Sequence, residues 1–138
     1  MGKELSVGEK RDVAFGYNLA KEMGRLDIGQ SVVVKRGVIL AVEAIEGTDQ
    51  AILRGGLLGG KGSVVVKVAK PHQDLRFDVP TVGLDTVKSL VKSEAKVLAI
   101  EAGKTFLLNR NEVGTKAEEN GVTIMAIDEP ILREWLTD

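Results

Sequence analysis

Val32-Val33-Val34-Lys35-Arg36-Gly37-Val38-Ile39-Leu40-Ala41-Val42, residues 32–42, reads as two β-rich runs split by a basic residue and a glycine, the pattern of a β-hairpin closed by a tight turn. Upstream, Ser6 followed by Glu9 forms a capping-box signal, and Val13, Phe15, Tyr17, Leu19, Ala20 and Met23 recur at helical spacing. This predicts a helix from about Val7 to Met23, ended by Gly24. The link Leu26-Asp27-Ile28-Gly29-Gln30 is a turn in which Asp27 and Gln30 serve either as caps or as ligand contacts.

Downstream of the hairpin, helical and β patterns alternate. A helix is expected from Asp49 to about Leu58, with Thr48 or Asp49 available as its cap, and Gly55, Gly56, Gly59, Gly60 and Gly62 are expected to end it and turn the chain. A strand Ser63–Ala69 follows, then a helix opening at Leu84 or Asp85 and a short buried strand Lys96–Ile100. A helix over 110–120, with Asn109 or Asn111 as cap and Gly121 as stop, leads to a strand Val122–Ile127. The tail, with Ile131, Leu132, Trp135 and Leu136, is an amphipathic turn. An antiparallel hairpin feeding alternating helices and strands predicts an α/β fold: one domain, residues 1–138, with a mixed sheet and packed helices.

Composition narrows the function classes. At 138 residues the chain suits one core, and 43% hydrophobic against 28% charged residues is ordinary for a globular domain. Nineteen basic against twenty acidic side chains leave a net charge of −1, and aromatics make up 4%, so neither electrostatics nor stacking argues for a nucleic-acid partner. The lack of cysteine excludes disulfides, thiol nucleophiles and thiolate metal sites, and His72 is the single histidine, so any metal would rest on oxygen ligands. The apolar runs fall short of the roughly 18 residues of a membrane span and no leader-like segment opens the chain, so the expected location is cytoplasmic. The abrupt start, with Met1-Gly2-Lys3-Glu4-Leu5 running almost at once into a helix, is what a piece of a longer protein would show.

The polar chemistry is concentrated in Val68–Gly83, where Lys70, Gln73, Asp74, Arg76 and Asp78 alternate with apolar residues between two prolines. In an extended run Asp74, Arg76 and Asp78 would point to one side. Carboxylates flanking an arginine, with Lys67 and Lys70 nearby, suit a metal-bound phosphate, and suit equally an ion-paired scaffold with no ligand. Two stretches imitate a phosphate loop and fail its context. Gly55–Gly62 follows a helix and has Gly62 in place of the hydroxyl residue; Glu101-Ala102-Gly103-Lys104-Thr105 lacks the first glycine and runs into β-prone Phe106-Leu107-Leu108. Polar sequence follows the strands at Glu43, Lys67 and Glu101, which predicts one composite cleft at the strand ends.

Five blocks, L-D-I-G-Q (26–30), A-V-E-A-I-E-G-T-D (41–49), R-G-G (54–56), V-K-V-A-K-P-H-Q-D-L-R-F-D-V-P-T-V-G (66–83) and E-A-G-K-T (101–105), closely resemble the C-terminal domain of LpxI-type UDP-2,3-diacylglucosamine pyrophosphatases. The likeness runs from about Asp12 to Ile127. It implies magnesium-dependent hydrolysis of UDP-2,3-diacylglucosamine to UMP and 2,3-diacylglucosamine 1-phosphate, a step of lipid A biosynthesis. By match to the R-F-D-x-P block, Asp78 is the implied essential carboxylate, with Asp74 beside it. Glu43, Glu46, Asp49 and Asp78 become the candidate magnesium ligands; Gln30, Thr48, Lys67, Lys70, Gln73, Arg76 and Lys104 become the candidate substrate contacts. The family also carries an N-terminal half, missing here, so this domain alone is expected to be weakly active or inactive. Self-association and, at most, peripheral contact with the inner membrane are compatible with the resemblance, and a non-catalytic module for sugar phosphates or nucleotides is the alternative reading.

Overall fold

The computed structural model describes residues 1–72, 74, 76 and 79–137. Asp78 and Gln73, both candidate site residues, lie outside the described residues. Helix α1 (Val7–Arg25) starts as expected: the Ser6 hydroxyl accepts the Glu9 N–H at 3.1 Å and the Glu9 carboxylate accepts the Ser6 N–H at 2.8 Å. It does not stop at Gly24. That glycine stays helical and faces the start of the charged loop, where an added Cβ would lie 3.4 Å from both Lys70 Cα and Pro71 Cδ. The chain instead reverses at Asp27, with φ of 58°.

Strands β1 (Ser31–Lys35) and β2 (Val38–Val42) form the hairpin, with Arg36 and Gly37 at φ 50° and 77° as a two-residue turn of left-handed residues. The carboxylate of Asp12, buried on α1, accepts the N–H groups of Arg36 at 3.0 Å and Gly37 at 2.9 Å, tying the turn to the helix. Helix α2 (Thr48–Gly59) takes Gly47 as its N-cap, so Thr48 and Asp49 fall inside its first turn and neither caps it. Gly55 and Gly56 also differ from expectation. They lie within α2, where a Cβ would come 2.6 Å from Val33 Cγ1 and 2.5 Å from Ser93 Cβ respectively, so they serve close packing. The turn into β3 (Val64–Lys67) falls to Gly60 and Gly62, at φ 71° and 91°.

The remaining elements are β4 (Thr81–Val82), α3 (Leu84–Lys92), β5 (Val97–Glu101), β6 (Phe106–Leu107), α4 (Arg110–Glu119), β7 (Thr123–Ile127) and α5 (Glu129–Thr137). The tail read as a turn is thus a helix. The main sheet has the order β2-β1-β3-β5-β7, with β1 antiparallel to both neighbours and β3, β5 and β7 mutually parallel; β4 and β6 make a separate parallel pair. Two cores sandwich the sheet. Val13, Tyr17 and Ala20 of α1 and Leu132 of α5 pack with Val32, Val64, Val66 and Ala99 on one face. Ile52 of α2, Leu90 of α3 and Val113 of α4 pack with Val33, Val65 and Leu98 on the other. The mixed-sheet α/β class holds.

Candidate functional site at the carboxyl edge of the sheet

Because β1 runs against its neighbours, its beginning lies level with the ends of β2, β3 and β5. Ser31 pairs with Lys67, Lys67 with Ile100, and the Glu43 N–H donates to the Ser31 carbonyl at 2.9 Å. The edge of a parallel sheet at its carboxyl ends is where ligands of α/β proteins gather. Alternation along each strand then decides which face each polar group joins. Val65 and Lys67 share the α2 face, whereas Ala99 and Glu101 share the α1 face. The structure therefore divides the strand-end residues between two clusters, one on each face, rather than gathering them in a single pit.

On the α2 face, Lys67 is 8% exposed and its ammonium donates to the Thr81 carbonyl at 3.0 Å. Burial lowers its pKa below the usual lysine range, opposed by the charges of Glu43 and Asp49. Neither carboxylate forms a direct ion pair with it among the described residues. Thr48, freed from capping, donates to Glu43 Oε1 at 3.3 Å and shares a 3.1 Å hydrogen bond with the wholly buried Ser31 hydroxyl. The Gln30 N–H reaches the same Glu43 oxygen at 3.4 Å, and the Gln30 amide donates to the Val68 carbonyl at 3.2 Å. Asp49 Oδ1 is buried with no hydrogen-bond partner among the described residues. A buried carboxylate oxygen left bare is costly unless something absent from the protein answers it.

On the α1 face, the Glu101 carboxylate is buried and fully engaged. It lies 2.7 Å from the Lys21 ammonium and accepts the Ala69 N–H at 2.9 Å and the Tyr17 hydroxyl at 3.3 Å, with Lys104 Nζ at 3.9 Å. Lys21 also donates to the Ala69 carbonyl at 3.0 Å, so this pair clamps the root of the charged loop at both backbone groups of one residue. Burial, and then Glu101, push the Tyr17 phenol up to about 12. Tyr17 and Lys21 are not among the sequence-derived candidates, and Glu101 figures there as a strand exit without a role of its own. The available signal was Tyr17 and Lys21 one turn apart on α1, together with a carboxylate closing an otherwise apolar strand.

The other candidates lie further out. Lys70 bonds Asp27 at 2.8 Å, which holds the Asp27 carboxyl below its ordinary range. Asp74 accepts the Arg76 backbone N–H at 3.0 Å and its guanidinium at 3.1 and 3.0 Å, folding the pair into an exposed turn in place of an extended run. Glu46 accepts the Ala44 N–H and pairs with Arg54 at 3.0 Å. Lys104 is half exposed beside Glu101. So Gln30, Glu43, Thr48, Asp49 and Lys67 come together, Lys104 belongs to the second cluster, and Glu46, Lys70, Asp74 and Arg76 are engaged with partners of neither cluster. Among the described residues no three histidine or carboxylate side chains converge to hold a metal ion. No described helix is long and apolar enough to cross a membrane.

Comparison with known proteins bears on residues 1–125, which match the family model described as the LpxI C-terminal domain. The UDP-2,3-diacylglucosamine pyrophosphatase LpxI of Caulobacter vibrioides is 34% identical over 125 residues, covering 85% of this chain and 45% of that relative. The chain therefore spans less than half the length of that protein. Among solved structures, two forms of Acinetobacter baumannii RibD resemble it in fold, with TM-scores of 0.51 and 0.50 at 14% and 12% identity. They cover 94% and 96% of this chain, and 39% of the RibD chain in each case.

Proposed function

Because the chain belongs to the LpxI C-terminal domain family, we propose that it supplies the strand-end half of a UDP-2,3-diacylglucosamine pyrophosphatase site, releasing UMP and 2,3-diacylglucosamine 1-phosphate. The observation that carries the reading is the α2-face cluster: a buried lysine that feels the charges of two acidic side chains, one of which presents an unsatisfied buried oxygen. The metal-ligating groups of the cluster are carboxylate oxygens, which fit a hard divalent cation such as magnesium, with Glu43 and Asp49 as the residues that would hold it and Asp78, outside the described residues, as the further ligand that the family match implies. When bound, magnesium neutralises phosphoryl oxygens and lowers the cost of charge developing at phosphorus.

The protein's own part is positioning. Lys67, shielded from water, offers a positive charge to a phosphoryl oxygen in surroundings where that charge is weakly screened. The Thr48 hydroxyl and the Gln30 amide line the same edge and orient the diphosphate. Asp78 takes a proton from the water that adds to phosphorus as the bridging P–O bond breaks and its oxygen leaves with the departing phosphate.

The test is UMP release from UDP-2,3-diacylglucosamine with magnesium, paired with thermal-shift titration of magnesium plus a UDP-sugar. Wild type is expected to be stabilised by the pair together and not by either alone. Lys67→Met should lose that stabilisation, and Asp78→Ala should lose at least about 100-fold in any turnover, the usual scale for a proton-transfer group. Absence of any response to magnesium with UDP-sugar, or full turnover by Asp78→Ala, would overturn the proposal.

A further inference from the structure

At the opposite edge of the sheet, a groove of about 840 Å³ lies between the first turns of α1, the hairpin turn and the loops leading into β3 and β5. Its volume is within the range of small-molecule sites. Arg11, Lys35, Arg36, Lys61 and Lys96 line it, against the acids Glu9 and Asp12, a local balance of five cations minus two carboxylates, or +3. The whole chain balances at −1, so basic side chains are concentrated here against the overall composition.

The two acids do not neutralise the groove's cations through direct pairs. Glu9 is committed to the Ser6 N–H of the capping box, and both oxygens of Asp12 are committed to the N–H groups of Arg36 and Gly37. Lys35 donates to the Gly59 carbonyl, which leaves its charge intact. Lys61 reaches Glu94 at 3.4 Å in an exposed pair of the kind that contributes little. Arg11, Arg36 and Lys96 form no ion pair among the described residues. Five like charges contributed by four separate segments repel one another, and an anion placed among them relieves that repulsion. Phe15, 44% exposed in the same lining, adds an apolar platform beside the charges.

We propose that this groove is a second anion site, separate from the strand-end clusters, that takes a phosphate-bearing ligand whose phosphoryl oxygens meet Arg11, Arg36 and Lys96 and whose apolar part rests on Phe15. Arginine forks and lysine point charges are the side chains suited to phosphoryl oxygens. The ligand is either a soluble organic phosphate or a lipid headgroup, since both present the same chemistry.

The test uses the full chain with inorganic pyrophosphate in calorimetry, and with phosphatidylglycerol vesicles, with phosphatidylcholine vesicles as the neutral control, in co-sedimentation. In magnesium-free buffer, which leaves the strand-end site unresponsive, wild type and Lys67→Met should bind alike, with affinity falling as salt rises. Arg11→Gln/Arg36→Gln/Lys96→Gln should bind at least about 10-fold more weakly, about 1.4 kcal/mol. In NMR titrations the amides of Gly37 and Gly62 should shift in wild type and not in the triple variant. Binding of pyrophosphate without vesicles supports a soluble ligand, and binding of anionic vesicles without pyrophosphate supports a headgroup. Binding of neither probe, equal binding by the triple variant, or shifts confined to the strand-end residues would overturn the proposal. Because Lys67→Met removes the other site's lysine and leaves this groove intact, failure here is separable from failure of the proposed hydrolysis.

Discussion

Glu101 and Lys21 are separated by 80 positions in sequence, yet they carry the best-satisfied polar contact near the site. Removing one partner of a buried pair leaves the other charge unanswered, which is costlier than the pair itself is stabilising. Glu101→Ala strips the acceptor from Lys21, Tyr17 and the Ala69 N–H together, and should lower unfolding stability by about 3 kcal/mol, read as a shift in urea midpoint. A loss below about 1 kcal/mol would mean that water replaces the carboxylate at no cost, and the clamp on the loop root would be discounted. Tyr17 makes a pH prediction at the same cluster. Its phenol titrates near 12 when folded against 10.0 when exposed, so the folded state holds its proton longer between those values and stability contributed below pH 10 is lost as pH rises toward 12. Lys67 has the opposite sense: its depressed folded pKa makes the unfolded chain bind more protons just below 10.5, so its contribution rises with pH in that window. Urea midpoints of Tyr17→Phe should decline less than those of wild type between pH 10 and 12, and parallel declines would remove Tyr17 as the cause.

Elements whose signals are local were legible. The capping box opened α1 where Ser6 and Glu9 said it would, and Arg36-Gly37 closed the hairpin, because each depends on residues within a few positions. The glycines of α2 were misread for the opposite reason. From sequence a glycine looks like a stop, but Gly55 and Gly56 are required by Val33 and Ser93, neighbours that only tertiary packing supplies. The candidate site divides in the same way. Lys67 and Asp49 stood at strand and helix ends, whereas their partition from Glu101 onto opposite faces depends on register across the sheet. The short pair β4 and β6 joins strands too brief for any periodicity to register. Packing also sets an element-scale prediction. A methyl group at Gly56 would meet the Ser93 backbone at 2.8 Å, where α2 and α3 must part to admit it, so Gly56→Ala should cost about 1–3 kcal/mol despite alanine's better helix propensity. Gly8→Ala, whose nearest contact is the Ser6 hydroxyl at 4.0 Å, is the control and should be neutral or mildly stabilising. Equal thermal midpoints for the two variants would contradict the close approach of α2 and α3.

At the scale of the whole molecule, the reversed direction of β1 brings the beginning of one strand to the ends of the others, so backbone groups around Ser31 and Gln30 sit among side chains from β2, β3 and α2. Under the proposed function, that arrangement is what would supply charge and orientation for a diphosphate. The proposed substrate also carries a uridine at one end and acyl chains at the other, and hydrolases draw on binding of such remote parts to hold the reacting atoms in place. The family relative has more than twice the length matched here, which leaves room for those contacts outside this chain's sequence. The 138-residue chain should therefore hydrolyse UDP-2,3-diacylglucosamine at least about 100-fold more slowly, in kcat/KM, than the Caulobacter vibrioides relative assayed with the same magnesium and lipid. Its response to magnesium together with a minimal UDP-sugar in thermal shift should survive, because that reads the diphosphate contacts alone. Magnesium-dependent UMP release within about 10-fold of the relative would show that remote contacts add little to catalysis, and that the strand-end cluster on the α2 face works as a complete site.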